Sequence, residues 1–404
     1  MELPFGVLRV RNFRLHFIGQ TASNVGTWFQ SLAQALLVLD LTGSGTALGL
    51  VTALQFAPTL VLAPYAGVLA DRMSPRRLLV VTAGLAALLA GTLATVAALG
   101  HINVTWLYGM ALALGCVQAL DRPTAQTLLY ELVGPDELKR AIGLHSVTQS
   151  SARMLGPGLA GAAYALLGPA ACFAINAVSF LGVIVALMAM RRDALWPRPR
   201  TTRRAHLELR DALHQVAREP QLRAPLLVSA LIGALTFNFM TTITAMVRFE
   251  LDGDASALGA AHALNAVGAV LGSLLVASLA SPSRGGLATV CAALAGAILI
   301  NSLAPSLHAF LLWAPCFGLA VGAYQTAFLT AVQRAAPPAM LGRVSGLFTL
   351  GTVGMMPIAS LVAGVAIDLW SARVAMGVGA AACLTGAAML AWPLARAAAA
   401  ARSA

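Results

Sequence analysis

Three ionisable residues interrupt long apolar stretches of the sequence. Asp121 and Arg122 lie in one stretch, and Arg153 lies in the next. An ionisable side chain inside a membrane costs several kcal/mol unless it is paired or hydrated, so such residues usually serve a function. A carboxyl group beside guanidinium groups could gain and lose a proton or could bind a substrate. Asp121, Arg122 and Arg153 are therefore our proton-coupling candidates. A static buried ion pair between Asp121 and Arg153 is the alternative interpretation.

The composition indicates that these stretches cross a bilayer. Of the 404 residues, 59% are hydrophobic and only 10% are charged, whereas soluble domains carry about 25% charged residues. A helix needs about 20 apolar residues to span a membrane. We predict an all-α integral membrane protein with twelve transmembrane helices, whose approximate limits are 15–39, 46–70, 78–99, 104–131, 141–166, 170–190, 224–248, 256–280, 286–304, 307–333, 344–367 and 372–392.

The distribution of basic residues predicts the orientation of these spans. A net charge of +11 would suggest nucleic-acid binding in a soluble protein. Here the basic residues concentrate in short segments between the spans. If both termini are cytoplasmic, most of these segments lie inside, as the positive-inside rule requires. We therefore expect the lipid bilayer as a partner and no nucleic acid. The five cysteines lie in apolar runs without metal-ligand spacing, so we expect no metal site.

A polar stripe runs along the first span. Gln20, Asn24, Thr27, Ser31 and Gln34 recur at intervals of four and three residues, which places them on one helical face. The stripe faces either a water-filled cavity or neighbouring helices, and we expect the cavity. The candidates for lining a substrate cavity are Gln20, Asn24, Thr27, Gln30, Ser31, Gln34, Gln118, Gln149, Asn238, Asn265, Tyr324 and Gln325, although ordinary helix packing is the alternative for each.

A charged hinge joins the second and third spans. The segment from Gly67 to Arg77 resembles the signature of the major facilitator superfamily, G-x-L-a-D-R-x-G-R-R, with Ser74 and Pro75 as departures. The resemblance implies a cytoplasmic gate. Charges that only set the topology are the alternative. The residues assigned to this gate are Gly67, Asp71, Arg72, Arg76 and Arg77.

The second half of the sequence repeats the first. The segment Pro135–Leu144 aligns without gaps with Pro338–Leu347, and five identical residues coincide. Two six-helix halves with a midplane substrate site are typical of the major facilitator architecture. We predict an N-terminal half at 1–190, a basic cytoplasmic linker with a short amphipathic helix at 191–223, and a C-terminal half at 224–404.

Glycines and a proline in the fifth span resemble the antiporter motif of drug exporters in this superfamily. The residues in register are Gly143, Gly156, Pro157 and Gly161, whereas Ala occupies two glycine positions of the motif. The resemblance implies export rather than import. The arginine of the exporters' span 4 motif is replaced by Ala111.

Several segments resemble one group within the superfamily, the enterobactin exporter and the macrolide-efflux proteins. They include Asn24–Gln30, Ala119–Pro123, Phe173–Ala177 and Met340–Leu347. The resemblance implies a multi-pass protein of the bacterial inner membrane that exports small, partly apolar molecules of drug or siderophore type. It further implies exchange for protons by alternating access, action as a monomer, no cofactor and no enzymatic activity.

Other functions remain open at this point. A transporter of lipids or lysophospholipids, or an uptake facilitator without proton coupling, would have the same fold. A non-transporting receptor and an intramembrane enzyme belong to other classes. The sequence has no G-x-x-x-x-G-K-[ST] motif, so we expect no direct use of ATP.

Overall fold

The computed structural model describes residues 4–197, 216, 218–279, 283–337 and 340–403. Within these ranges, the side chains of residues 4–5, 63–68, 70–72, 147, 150, 342 and 393–403 lie outside the description. Every regular element in the described ranges is a helix, so the predicted all-α class is confirmed.

Four helices make up the described part of the first half. After a short 3-10 helix, Pro4–Arg9, they are α1 Arg11–Thr42, α2 Gly45–Arg72, α3 Pro75–Ala98 and α4 Val104–Met188.

Helix α4 is broken twice, so it supplies three of the predicted spans. Gly134 has φ 71° and Gly168 has φ 76°, a left-handed conformation that glycine adopts without steric cost. Each glycine precedes a proline, which fits the first position of the next helical segment. The resulting segments cover residues 104–133, 135–167 and 169–188.

The second half contains eight α-helices in its described part. They are α5 Pro220–Leu235, α6 Phe239–Ala245, α7 Ala255–Ser278, α8 Arg284–Ser302, α9 Leu307–Ala335, α10 Leu341–Thr352, α11 Met356–Leu369 and α12 Ala372–Ser403. A π-helix, Met246–Glu250, continues α6, and a 3-10 helix, Val353–Met355, joins α10 to α11.

Two predicted spans are interrupted in this half. The span at 224–248 breaks between α5 and α6, where the Thr236 hydroxyl donates to the Gly379 carbonyl at 3.0 Å and the Asn238 amide donates to the Ala359 carbonyl at 3.0 Å. The span at 344–367 breaks at Val353–Met355, just before Pro357. The second break has a local cause, because proline lacks an N–H. At the first break, side-chain hydrogen bonds to distant carbonyls stabilise the interrupted helix.

Polar residues begin many of these helices. Ser74, Asn103, Asp254, Ser283 and Ser306 each accept a hydrogen bond from the backbone N–H three residues further on. Such N-caps satisfy a donor that a helix start leaves free. They fix where α3, α4, α7, α8 and α9 start.

Nine helical stretches within the described ranges are long and apolar enough to cross a membrane. In this count Val104–Met188, Pro220–Glu250 and Arg343–Leu369 are one stretch each. The protein is therefore a multi-pass membrane protein. The exact number of twelve spans stays a prediction.

The chain divides into two compact units. The first comprises residues 1–42 and 54–203, and the second comprises 43–53 and 204–404. The division near residue 203 falls inside the predicted linker at 191–223. The assignment of the first turns of α2 to the second unit was not predicted from the sequence. Most of the linker, including most of its predicted amphipathic helix, lies outside the described residues.

Glycines bring two helices of the second unit into close contact. Gly268 and Gly272 of α7 face the backbone of α9, and Gly318 and Gly322 of α9 face the backbone of α7. A Cβ atom at any of the four would collide with a carbonyl group of the facing helix. Small residues four apart allow this packing in membranes, where dispersion between backbones replaces hydrophobic association.

Candidate functional site

The side chain of Asp121 is bound by a threonine. The hydroxyl of Thr82, on α3, lies 2.7 Å from Oδ1 of Asp121, in the first segment of α4. Thr82 is 1% exposed, and Asp121 is half-buried. The contact therefore places a carboxyl group in a sheltered position between two apolar helices, where its hydrogen-bond partner is a neutral group.

Of the two arginines, Arg122 lies close enough for its charge to act on this carboxyl group. Among the described residues, no salt bridge joins Asp121 to Arg122 or to Arg153. The pairing of Asp121 with Arg153, considered from the sequence, is thus not formed in this structure. Arg122 and Arg153 lie close enough for their like charges to repel each other. The Arg122 guanidinium carbon also lies 6.0 Å from the centre of the Phe56 ring, within the range of a cation–π contact.

Polar side chains flank both arginines at helical spacing. Gln118 and Gln126 lie four residues on either side of Arg122, and Gln149 lies four residues before Arg153. Gln118 is half-buried, whereas Gln126, Gln149 and both arginines are exposed. Residues four apart share a helical face. The first two segments of α4 therefore each present an accessible polar face.

The polar stripe of α1 divides into accessible and buried parts. Gln20, Asn24, Thr27 and Ser31 are half-buried. Gln34 is buried and lies 3.5 Å from the carbonyl of Leu107. These four residues are accessible enough to meet a solute, although Nδ2 of Asn24 is buried. Gln34 lies inside the helix packing of the first unit.

Gln30 belongs to the buried part as well. Its Oε1 accepts a hydrogen bond from Nδ2 of Asn176 at 2.6 Å, and both residues are at most 2% exposed. The pair joins α1 to the third segment of α4. In this structure Gln30 therefore contributes to helix packing.

The candidates of the second unit are also mixed. Asn238 and Tyr324 are buried, and Tyr324 packs against Phe237 and Phe328 with ring centroids 5.8 and 4.5 Å apart. Asn265 and Gln325 are half-buried. Only the latter two are accessible enough to meet a solute in this conformation.

The antiporter-type motif forms a close contact with α1. A Cβ atom at Gly156 would lie 2.7 Å from Cγ and Cδ1 of Trp28. Pro157 and Gly161 are buried, whereas Gly143 is exposed with no heavy atom within 4 Å of its Cβ position. The motif thus contains one glycine that the packing requires and one that it does not.

The hinge is only partly described. Arg76 donates from Nε to the Leu187 carbonyl at 2.6 Å and from Nη2 to the Met188 carbonyl at 2.9 Å. These carbonyls lie at the C-terminal end of α4, where a cation interacts favourably with the negative end of the helix dipole. Arg77 is exposed. The side chains assigned to the gate at Gly67, Asp71 and Arg72 lie outside the described residues.

Two residues of this site were not among the predicted candidates. Thr82 lies in an apolar span and has no ionisable neighbour in sequence, and Asn176 lies in the sixth span as a single polar residue. A polar residue in an apolar span is a weak signal, because it commonly bonds to its own helix. Asn176 does stand in one of the segments that resemble exporters, which could have drawn attention to it.

Comparisons with known proteins agree with this fold. A family model described as transmembrane secretion effector matches residues 3–403. The uncharacterized MFS-type transporter YfiS of Bacillus subtilis is 28% identical over 55% of this chain and 52% of its own length. The staphyloferrin A transporter of Staphylococcus aureus is 22% identical over 62% of this chain and 63% of its own length. The chain thus spans less than two thirds of each of these two relatives.

Solved structures share the fold. A bacterial homolog of the human lysosomal transporter Spinster, in its inward-facing and occupied conformation, matches with a TM-score of 0.75 at 14% identity, covering 96% of this chain and 97% of its own. The nucleoside transporter NupG matches with a TM-score of 0.72 at 15% identity, covering 95% and 98%.

These findings confirm the resemblance to the major facilitator superfamily and its fold. The family and the structural neighbours are transporters and not enzymes, which agrees with the interpretation of the motifs. Because the family model matches nearly the whole chain, this protein belongs to the transmembrane secretion effector family of major facilitator membrane transporters.

Proposed function

We propose that this protein is a secondary active exporter of the bacterial inner membrane, with both termini in the cytoplasm. It moves small, partly apolar molecules of drug or siderophore type outward in exchange for protons, and it acts as a monomer. The description of the matched family as a secretion effector supports the direction. A relative named as a staphyloferrin A transporter supports the class of cargo.

The hydrogen bond between Thr82 and Asp121 is the observation that carries the coupling mechanism. A carboxylate that is permanently paired with an arginine stays ionised, because the opposite charge favours the ionised form. Such a group cannot carry protons. Asp121 instead has a neutral hydroxyl as its partner, and no salt bridge to Arg122 or Arg153 forms in the described part of the chain. Its carboxyl group can therefore exist in both protonation states.

Arg122 and Arg153 make the carboxyl group responsive to its surroundings. Both arginine residues are partly accessible, so movement of a helix or arrival of a cargo can change their distance from Asp121. Coulomb energy depends strongly on distance in a medium of low dielectric constant. In one state of the cycle the arginines lie close to Asp121 and promote loss of its proton. In the other state they lie further away, and the carboxyl group keeps its proton.

The accessible polar residues supply the cargo contacts. Gln20, Asn24 and Thr27 on α1 and Gln149 on α4 can hydrogen-bond a solute, while the apolar helix surfaces between them accept its apolar parts. Access to the cargo alternates by rocking of the halves, as in other transporters built from structural repeats.

The test is transport by the purified protein in liposomes. An imposed pH gradient drives exchange, an internal dye reports proton movement, and the cargo panel contains dyes, macrolides and siderophores. We expect movement of at least one compound together with protons, and loss of this coupling in Asp121→Asn. The matched control is Asp252→Asn, which removes an exposed carboxylate in a loop. The backbone φ of residue 252 is 47°, an angle that asparagine tolerates.

Other outcomes contradict the proposal in defined ways. Cargo movement without proton movement would favour a facilitator or a lipid carrier. Full proton coupling in Asp121→Asn would place the coupling site elsewhere. Movement of no compound, in liposomes where the protein is folded, would contradict transport of this cargo class.

A further inference from the structure

The hydroxyl of Thr82 lies between two acceptors. Its oxygen is 2.7 Å from Oδ1 of Asp121 and 3.2 Å from the backbone carbonyl oxygen of Leu79, three residues earlier on the same helix. A hydroxyl group has one proton, so it can donate to only one of these oxygens at a time. Its lone pairs remain able to accept a hydrogen bond.

The two donor directions match the two protonation states of Asp121. When the carboxyl group is ionised, Thr82 donates to Oδ1. When the carboxyl group is protonated, it donates its own proton to the oxygen of Thr82, and the threonine proton turns to the carbonyl of Leu79. Rotation of one hydroxyl achieves the change, so no heavy atom has to move.

We propose that Thr82 is a positioning residue that keeps Asp121 hydrogen-bonded in both protonation states. This rests on the proposed function, in which Asp121 carries the proton. The transported proton arrives on the carboxyl group and leaves from it, and Thr82 keeps its own proton throughout. The half-buried carboxyl group thus changes its charge while Oδ1 keeps a hydrogen bond to Thr82.

The burial of Thr82 and its two acceptors suit it to this positioning role. Thr82 is 1% exposed, so water cannot take over its hydrogen bonds. Many threonines in these helices bond only to a carbonyl of their own helix, as Thr124 does with Leu120 at 2.7 Å. Thr82 has this helical acceptor and, in addition, a carboxyl group from the neighbouring helix.

The test compares three variants of similar size. Thr82→Val removes the hydroxyl but keeps the shape, Thr82→Ser keeps the hydroxyl, and Thr124→Val removes a hydroxyl that contacts only its own helix. The readout is the infrared C=O band of a protonated carboxyl group in the detergent-solubilised protein, followed against pH. The component that disappears in Asp121→Asn belongs to Asp121.

We expect the midpoint of this band to move to higher pH by about one unit in Thr82→Val, because the ionised carboxylate loses its donor. Thr82→Ser and Thr124→Val keep the wild-type midpoint. The pH profile of cargo-coupled proton movement in liposomes shifts in the same direction. Melting curves and gel filtration check that each variant is folded.

The outcomes separate this inference from the proposed function. A Thr82→Val midpoint equal to that of the wild type overturns the role of Thr82, even where Asp121→Asn abolishes coupling. A shifted midpoint together with full coupling in Asp121→Asn supports the role of Thr82 towards the carboxyl group and overturns the proton-carrier function of Asp121. Absence of any titrating Asp121 band overturns both.

Discussion

The indole ring of Trp28 lies against Gly156, at the position that a larger side chain would occupy. Cβ, Cγ and Cδ1 of the tryptophan are the three atoms nearest to a Cβ atom built at this glycine, at 2.7 to 2.8 Å. Rotation about the Cβ–Cγ bond leaves Cβ and Cγ in place, so turning the indole ring does not relieve the collision. The glycine is therefore required for α1 to approach the second segment of α4.

Replacement of Gly156 by alanine is expected to destabilise the protein by about 1–3 kcal/mol, the usual cost of overpacking a close contact. The matched control is Gly143→Ala, in the same motif, where no heavy atom lies within 4 Å of the Cβ position. Thermal unfolding in detergent measures both variants. Equal melting temperatures for the two would contradict the packing role assigned to Gly156.

The buried pair of Gln30 and Asn176 gives a second prediction. Asn176→Leu removes the donor to Gln30 at 2.6 Å and leaves the amide oxygen of Gln30 buried without this partner. The expected loss is about 1–3 kcal/mol, the cost of an unsatisfied buried polar group. Denaturant unfolding in mixed micelles, followed by tryptophan fluorescence, measures the change.

The double variant Gln30→Leu/Asn176→Leu tests whether the two residues act together. Removal of both partners leaves neither amide unpaired, so the double variant is expected to lose less stability than the sum of the single variants. Additive losses would show that the hydrogen bond between the two side chains contributes little.

The stability of the protein is expected to depend on pH through the loop residue Asp254. The pKa of Asp254 is lowered, because the N–H of Ala257 and the hydroxyl of Ser256 donate to its carboxylate. A lowered folded-state pKa gives stability that is present above the unfolded pKa, near 3.9. This stability is lost as the pH falls through the folded value.

The measurement is the melting temperature in detergent between neutral pH and pH 3. Asp254→Asn keeps a capping side chain but cannot titrate, so its melting temperature is expected to fall less steeply in acid than that of the wild type. The same slope for both proteins would show that Asp254 does not contribute to acid unfolding.

The sequence alone predicted the fold, and it drew attention to three ionisable residues, for a clear physical reason. Charges in apolar stretches are rare, so Asp121, Arg122 and Arg153 stand out in the sequence, and apolar length indicates the helices. The breaks at Gly134 and Gly168 also follow from glycine–proline pairs in gaps between the predicted spans.

The partners of these residues could not be predicted in the same way. Thr82 meets Asp121 only through the packing of α3 on α4, and a threonine changes the hydropathy of a span very little. The break between α5 and α6 depends on Asn238 and Thr236 bonding to carbonyls more than a hundred residues away. Such contacts depend on tertiary structure, which a pattern within one span does not contain.

The carboxylate of Asp368 holds the start of α2 within the second unit. It accepts hydrogen bonds from the hydroxyl of Ser44 at 2.6 Å, the N–H of Gly45 at 2.5 Å and the N–H of Thr46 at 3.0 Å. A negative charge at a helix N-terminus also interacts favourably with the helix dipole. Gly45 itself packs tightly against Ile367, next to this carboxylate.

Asp368→Ala is therefore expected to loosen the first turn of α2 and to lower the stability by about 1 kcal/mol, the typical value of a helix cap. Hydrogen exchange in nanodiscs, followed by mass spectrometry, should show faster exchange in the peptide that contains residues 45–47. Asp368→Asn keeps an acceptor oxygen without the charge, so its exchange rate should lie between those of the wild type and Asp368→Ala. If Asp368→Asn exchanged as slowly as the wild type, the charge would be unimportant. If Asp368→Ala did so too, the start of α2 would be held by its glycine packing alone.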